Sequence, residues 1–122
     1  MDKKSVSLFF ALMSIANENV SGFTVDSKTL QPIKSGYAVA VAETQNSFNG
    51  LGLLSVINHV QKNSNINAFG GWYNSENGKF YFDATIVVED LETAILLGLR
   101  NKQLAIFDLA NLEEIRLDRI EK

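Results

Sequence analysis

The sequence predicts an α+β domain, a mostly antiparallel sheet with two helices on one face, and three observations lead there. From Tyr37 to Phe107, strand-like runs and stretches of helical apolar spacing follow one another in the order β-α-β-β-α-β. The turn-rich connection Asn74-Ser75-Glu76-Asn77-Gly78 joins two of those runs as a hairpin. A chain of 122 residues, 46% of them apolar, closes around one core without a metal or disulfide, so residues 1–122 read as a single domain.

Each element has its own signal. Val6, Phe9, Phe10 and Met13 recur at i, i+3, i+4 and i+7, with Leu8, Leu12 and Ile15 in an adjacent stripe. That spacing predicts a core helix starting near Lys4. The same segment, Met1 to Ala16, has the outline of a secretory signal, with Lys3 and Lys4 ahead of an apolar run and Ser14-Ile15-Ala16 behind it. The run is too short to span a bilayer, and the packed helix is preferred. Gly22 to Asp26 reads as a short strand, Asp26-Ser27-Lys28 as a turn, and Pro32 as part of another.

Gly36 to Glu43 is a stronger strand, with Tyr37, Val39 and Val41 on one face; the alanines between them predict something packed closely on the other. Asn46 or Ser47 is placed to cap a helix over Leu51 to Lys62, whose buried stripe is Leu53, Val56, Ile57 and Val60. Ala68 to Tyr73 and Lys79 to Val88 form the hairpin, with Phe80 and Phe82 on one side and Tyr81 on the other. Asp90 caps a helix over Leu91 to Arg100 that turns Leu91, Ala94, Ile95 and Leu99 inward, with Gly98 marking a close approach and Asn101 a left-handed C-cap. Gln103 to Phe107 is a strand, and Glu113 to Leu117 pairs with it. The whole is a ferredoxin-like order of elements, with an N-terminal helix and an extra hairpin strand added.

Several function classes fall away on composition. The net charge of −3 is mild, with a balance of +1 over residues 1–62 and −4 over residues 63–122. No basic face emerges, so direct nucleic-acid binding is not expected. The absence of cysteine removes disulfides, thiolate zinc sites and thiol nucleophiles, and fits a cytoplasmic protein. No phosphate-binding loop, dinucleotide fingerprint, zinc-protease pair or nucleophile elbow is present. His59, the one histidine, lies off the apolar stripe of its helix and reads as solvated. Glu43, His59 and Asp83 are the only acid/base groups an enzyme reading can use. Glu89, Asp90 and Glu92 sit at a helix start, which explains them without chemistry. A non-enzymatic protein without cofactor, metal or membrane association is the expectation.

Two clusters remain as binding candidates. Glu43-Thr44-Gln45-Asn46-Ser47 lies between a strand and a helix start, and capping has no use for all five polar residues. Gly70-Gly71 in a strand predicts a bulge or a close backbone approach; Trp72 beside them reads first as a core plug, otherwise as an exposed interface anchor, with Tyr73 next to it.

The segments GFTVDSKTLQPIKSGYAVAV, ETQNSF, GGWYNSENGKFYFDATIVVED and NKQLAIFDLANLEEI together resemble a loose family of small proteins typical of bacteriophages, prophages and other mobile elements. The shared pattern is a G-W strand, a GK-Y-x-D strand, a D-x-x-x-A helix and an N-x-Q-x-A-I-x-D-L strand, and it covers roughly three-quarters of the chain. Gln45, Asn46 and Gln103 are pattern positions that no strand, turn or cap requires. The Leu51–Val60 helix departs from the pattern in being more apolar and less charged. The resemblance implies a small accessory binding protein acting in the host cytoplasm on a host protein or complex, with inhibition of a defence system such as CRISPR as one such role. A small-molecule or nucleotide sequestering protein and a self-associating structural subunit of a phage assembly are the alternatives.

Overall fold

The computed structural model describes residues 2–118. Three helices, α1 (Lys3–Glu18), α2 (Asn49–Lys62) and α3 (Leu91–Arg100), accompany seven strands. The strands are β1 (Phe23–Asp26), β2 (Tyr37–Ala40), β3 (Ser47–Phe48), β4 (Ala68–Asn74), β5 (Lys79–Val88), β6 (Ala105–Asp108) and β7 (Glu113–Arg116). They form one sheet in the order β1-β4-β5-β2-β6-β7, with β3 pairing β5 beyond the end of β2. Every pair is antiparallel. The strands of the central unit interleave: β5 lies between β2 and β4, and β2 lies between β5 and β6.

Alternation along the strands sorts the side chains. Val25, Val39, Phe69, Phe82, Ala84, Ile86 and Ile106 point to one face and are buried there. Under α1 and α2, Leu12, Ala16, Leu53, Val56 and Ile57 join the sheet residues in one cluster. Under α3, Val39, Ala94, Ile106 and Leu117 form a second, and the half-buried Val88 and Leu97 touch both. Burial of such side chains, about 1.5–3 kcal/mol each, supplies the main drive for this layer.

Small residues set the approach of elements to each other. A methyl group at Gly98 would lie 2.4 Å from Leu117 Cδ1 and 2.9 Å from Ile106 Cγ2, so α3 sits directly on β6 and the chain that follows β7. At Gly71 the same methyl would meet the Phe23 and Phe80 rings at 2.6 and 2.9 Å. The paired glycines therefore make neither a bulge nor a close backbone approach: the β4–β5 register runs unbroken through them, and the room they leave is taken by side chains, the Phe23 and Phe80 rings at Gly71 and Asp83 and Thr85 at Gly70.

Several local expectations change. The buried side of α1 is Ser5, Leu12 and Ala16, with Leu8, Phe9, Met13 and Ile15 half-covered, while Phe10 is 65% exposed. The helix is turned so that Ser5 meets Gln61 of α2, the two side chains bonding at 3.0 Å. Neither Asn46 nor Ser47 caps α2, because Ser47 and Phe48 are drawn into pairing with Phe82 and Tyr81 and the helix starts one residue later. Asp90 does cap α3, accepting from Thr93 N at 2.8 Å. Leu91 lies exposed, and Ala94 and Gly98 form the buried line instead. Asn101 closes α3 through its side chain, Nδ2 donating to Leu97 O at 2.9 Å, and the left-handed residue is the next one, Lys102.

Candidate functional site

The face of the sheet opposite the helices is covered by no element among the described residues. Ala38, Ala40, Gly70, Thr85 and Ala105 project onto it as a shallow floor. The alanines of β2, expected to lie under a closely packed partner, line a groove instead. Leu30, Pro32 and Ile33 border it on one side and Phe107, Leu109 and Leu112 on the other, around a volume of about 980 Å³. The floor is low because, Thr85 apart, its side chains have one carbon or none.

At one end of this groove the sheet has a notch. Strand β2 stops at Ala40, its last partner on β5 being Thr85, and β3 resumes pairing at Phe82. Between them the chain leaves the sheet as a short 3-10 turn, Ala42–Thr44, followed by Gln45 and Asn46. Asn46 has a φ of 65°, a conformation Asn tolerates better than most side chains, and it returns the chain to the sheet. Thr44 holds the excursion down: its buried Oγ1 accepts from Ala84 N at 3.0 Å, satisfying the donor that β2 no longer reaches. Behind the turn, Asn101 Oδ1 accepts from Ala42 N at 3.1 Å.

A second cavity of about 370 Å³ occupies this notch, with Gln45, Asn46, Gln103, Trp72, Tyr81 and Asp83 among its walls. The structure thus brings together Thr44, Gln45, Asn46 and Trp72. Glu43 is exposed on the turn and Ser47 enters β3 half-covered. The Gln45 and Asn46 side-chain amides make no hydrogen bond among the described residues, whereas Gln103 Nε2 donates to Asn101 O at 3.2 Å.

Trp72 is no core plug. It lies on the open face, 46% exposed, and stacks on Tyr81 with ring centroids 5.4 Å apart and planes 17° apart. Tyr81 meets the Phe48 ring edge-on at 5.8 Å, and Lys79 Nζ lies 3.9 Å from the Phe48 centroid. Aromatic burial favoured the core reading, but the parity of β4 decides: Phe69 and Gly71 face the helices, so Gly70 and Trp72 cannot. The same parity separates Tyr73 from the site, and its ring lies beside Phe80 at 6.5 Å on the other face.

Asp83 is the functional-site residue that sequence reasoning placed only among possible acid/base groups. It lines both cavities, opposite Gly70 in the β4–β5 register. Its Oδ1 accepts from the Thr85 hydroxyl, while Oδ2 carries no hydrogen bond among the described residues and keeps contact with the cavity. Enclosure by the sheet and turn strips water from the carboxylate and pushes its pKa up, with the Thr85 bond opposing in part. No Lys or Arg lines either cavity. Arg116, at the far edge, is held by Asp118 at 2.8 Å and Glu114 at 3.5 Å.

His59 lies on α2, across the sheet from Asp83, where its carbonyl accepts from Asn63 Nδ2 at 2.8 Å. His59 and Asp83 therefore do not share a site. Among the described residues no three His, Asp or Glu side chains gather as a metal site, and no helix is long and apolar enough to cross a membrane. Tyr81 and Phe48 were not among the expected site residues; for Tyr81 the signal is alternation in β5, which puts Tyr81, Asp83 and Thr85 on the face that Phe80 and Phe82 avoid. In comparisons with known proteins, no family model, no curated protein and no solved structure matches the chain.

Proposed function

We propose that this chain is a non-enzymatic binding protein whose working surface is the uncovered face of the sheet, centred on the Asp83 notch. The observation that carries the reading is the pairing of an exposed Trp72–Tyr81 stack with two unspent amides, Gln45 and Asn46, around one cavity. An exposed tryptophan stabilises little by itself, and polar groups with no internal partner cost nothing only while water or a ligand satisfies them. The resemblance to phage and mobile-element proteins supplies the setting: an accessory protein in the host cytoplasm that engages a host protein, as an inhibitor of a defence system such as CRISPR does.

Capture from host lysate on immobilised wild type, compared with a Trp72→Ala/Gln45→Ala variant, tests the surface. A partner retained by the wild type and lost by the variant is the expected result. Equal retention by both moves the binding surface elsewhere, and repeated failure to capture anything counts against the reading. A second reading, binding of a small molecule, has the cavity of about 370 Å³ in its favour. Thermal-shift screening decides it, a nucleotide being disfavoured because no cation lines the cavity to meet its phosphates.

A further inference from the structure

Asp83 is a part-dehydrated acidic group with no cation lining its cavity. One oxygen is bonded by Thr85, the other opens into the notch, and the cavity walls contain no cation. Glu114, on the larger groove, is already paired with Arg116, which also holds Asp118, and Lys79 is engaged with the Phe48 ring. A phosphate-bearing ligand finds no cation among the residues that line either cavity. A cation favours the ionised form of Asp83 that burial alone opposes, and pairs with it in a part-dehydrated site, where such pairing is stronger than in water.

The rest of the wall narrows the cation. Trp72 and Tyr81 stack on each other, and the Trp72 ring, 46% exposed, keeps area over which a planar cation is attracted. The amide oxygens of Gln45, Asn46 and Gln103 are acceptors around the same volume. A guanidinium is planar, stacks on aromatic faces and carries five donors in a fixed fork; an ammonium has three donors and a tightly held hydration shell. The notch continues into the groove floored by Ala38, Ala40 and Gly70 and walled by Leu30, Ile33 and Leu109, so apolar residues flanking the cation have a place to lie.

Resting on the reading of this face as the binding surface, we infer that the Asp83 notch receives an arginine side chain of the partner protein, paired with the carboxylate and stacked against Trp72. The side chain is held by charge and shape together, and its neighbours in the partner extend along the alanine floor.

The test is NMR titration of the isotope-labelled full chain with N-acetyl-arginine methylamide, its citrulline and lysine counterparts, free arginine, and an N-acetylated leucine-arginine-leucine amide. The arginine amide is expected to shift the Trp72 indole N–H and the Gln45, Asn46 and Gln103 amides saturably, with the neutral citrulline compound binding at least about tenfold more weakly. The tripeptide is expected to bind more tightly than free arginine. Asp83→Asn is expected to weaken arginine binding about tenfold and Trp72→Ala about threefold. Asp83→Ala serves if the asparagine variant does not fold.

No response to the arginine probes, equal binding of citrulline, or an unchanged affinity in both Asp83 variants overturns the inference. Lysine binding as tightly as arginine overturns the guanidinium, and free arginine binding more tightly than the tripeptide overturns the protein source. If the probes fail while Trp72→Ala/Gln45→Ala still loses its captured partner, the ligand class is wrong and the surface stands; if neither responds, both fall.

Discussion

Gly70 lies directly across from Asp83 in the β4–β5 register, and a methyl group placed on Gly70 would sit 2.7 Å from Asp83 Oδ1 and 3.0 Å from Thr85 Oγ1. The absence of a side chain at one position thus makes the room in which the carboxylate and its threonine partner lie. Gly70→Ala is expected to displace that pair and to destabilise the fold by roughly 1–3 kcal/mol, the usual range for overpacking. Urea denaturation checks it; an unchanged midpoint would show that the Asp83 side chain swings aside freely.

Asp83 also gives a pH signature. Its pKa is raised in the folded chain because the sheet and turn exclude water, so folding favours the protonated form. That contribution is fully present below the unfolded carboxylate value and is lost as pH rises through the folded one. Asp83→Asn removes the titration, so the variant is expected to gain on the wild type as pH climbs from about 4 to neutrality. Thermal melts of the two proteins across that window measure the difference; parallel curves would contradict the dehydrated carboxylate.

The opposite sign applies at the caps and turns. Asp26 is held below its usual value by the backbone N–H groups of Thr29 and Lys28, and Asp90 by the hydroxyl and N–H of Thr93. Their contributions are present above the unfolded carboxylate range and fade as pH falls through the lowered values. Asp90→Asn is expected to flatten part of the acid limb of the stability curve, measured by denaturation from neutral pH downwards.

Thr44 is the anchor of the notch. Replacing it with Val keeps the shape and deletes the acceptor for the buried Ala84 N–H, a loss of about 1–3 kcal/mol. Hydrogen exchange at the Ala84 amide is expected to speed up in Thr44→Val while the far end of the β4–β5 ladder stays protected.

Gly98→Ala sets two effects against each other. Helix propensity favours alanine by about 1 kcal/mol, whereas the new methyl meets Leu117 and Ile106 well inside van der Waals contact. Since both contacts are to buried side chains under α3, the clash is expected to win and the melting temperature to fall. A rise in melting temperature would show that α3 lifts off β6 at little cost.

What was legible in the sequence is what local spacing encodes. The hairpin, α2, α3 and the pairing of β6 with β7 follow from alternation, from apolar residues at 3.6-residue intervals and from Asp90 at a cap position. The unused amides were legible too, because Gln45 and Asn46 exceed what any cap needs. The open face was not. Ala38, Ala40 and Gly70 look the same in sequence whether a partner element lies on them or nothing does, since covering an element is a property of the whole topology. Trp72 was misassigned because size suggested burial, although its register with Phe69 places it on the other face. Asp83 stood out only when two cavities met at it.

The link from Asn101 to Ala42 carries a last implication. Together with the Thr44 clamp it ties the peptide before Gln45 to a helix on one side and to a strand on the other. The amides therefore project from a segment whose backbone is already ordered, and a partner need not freeze a floppy loop to engage them. Complex formation then forfeits mainly the rotamer freedom of a few side chains, on the order of 0.5–1.5 kcal/mol apiece, which suits a small surface that must hold on with few contacts.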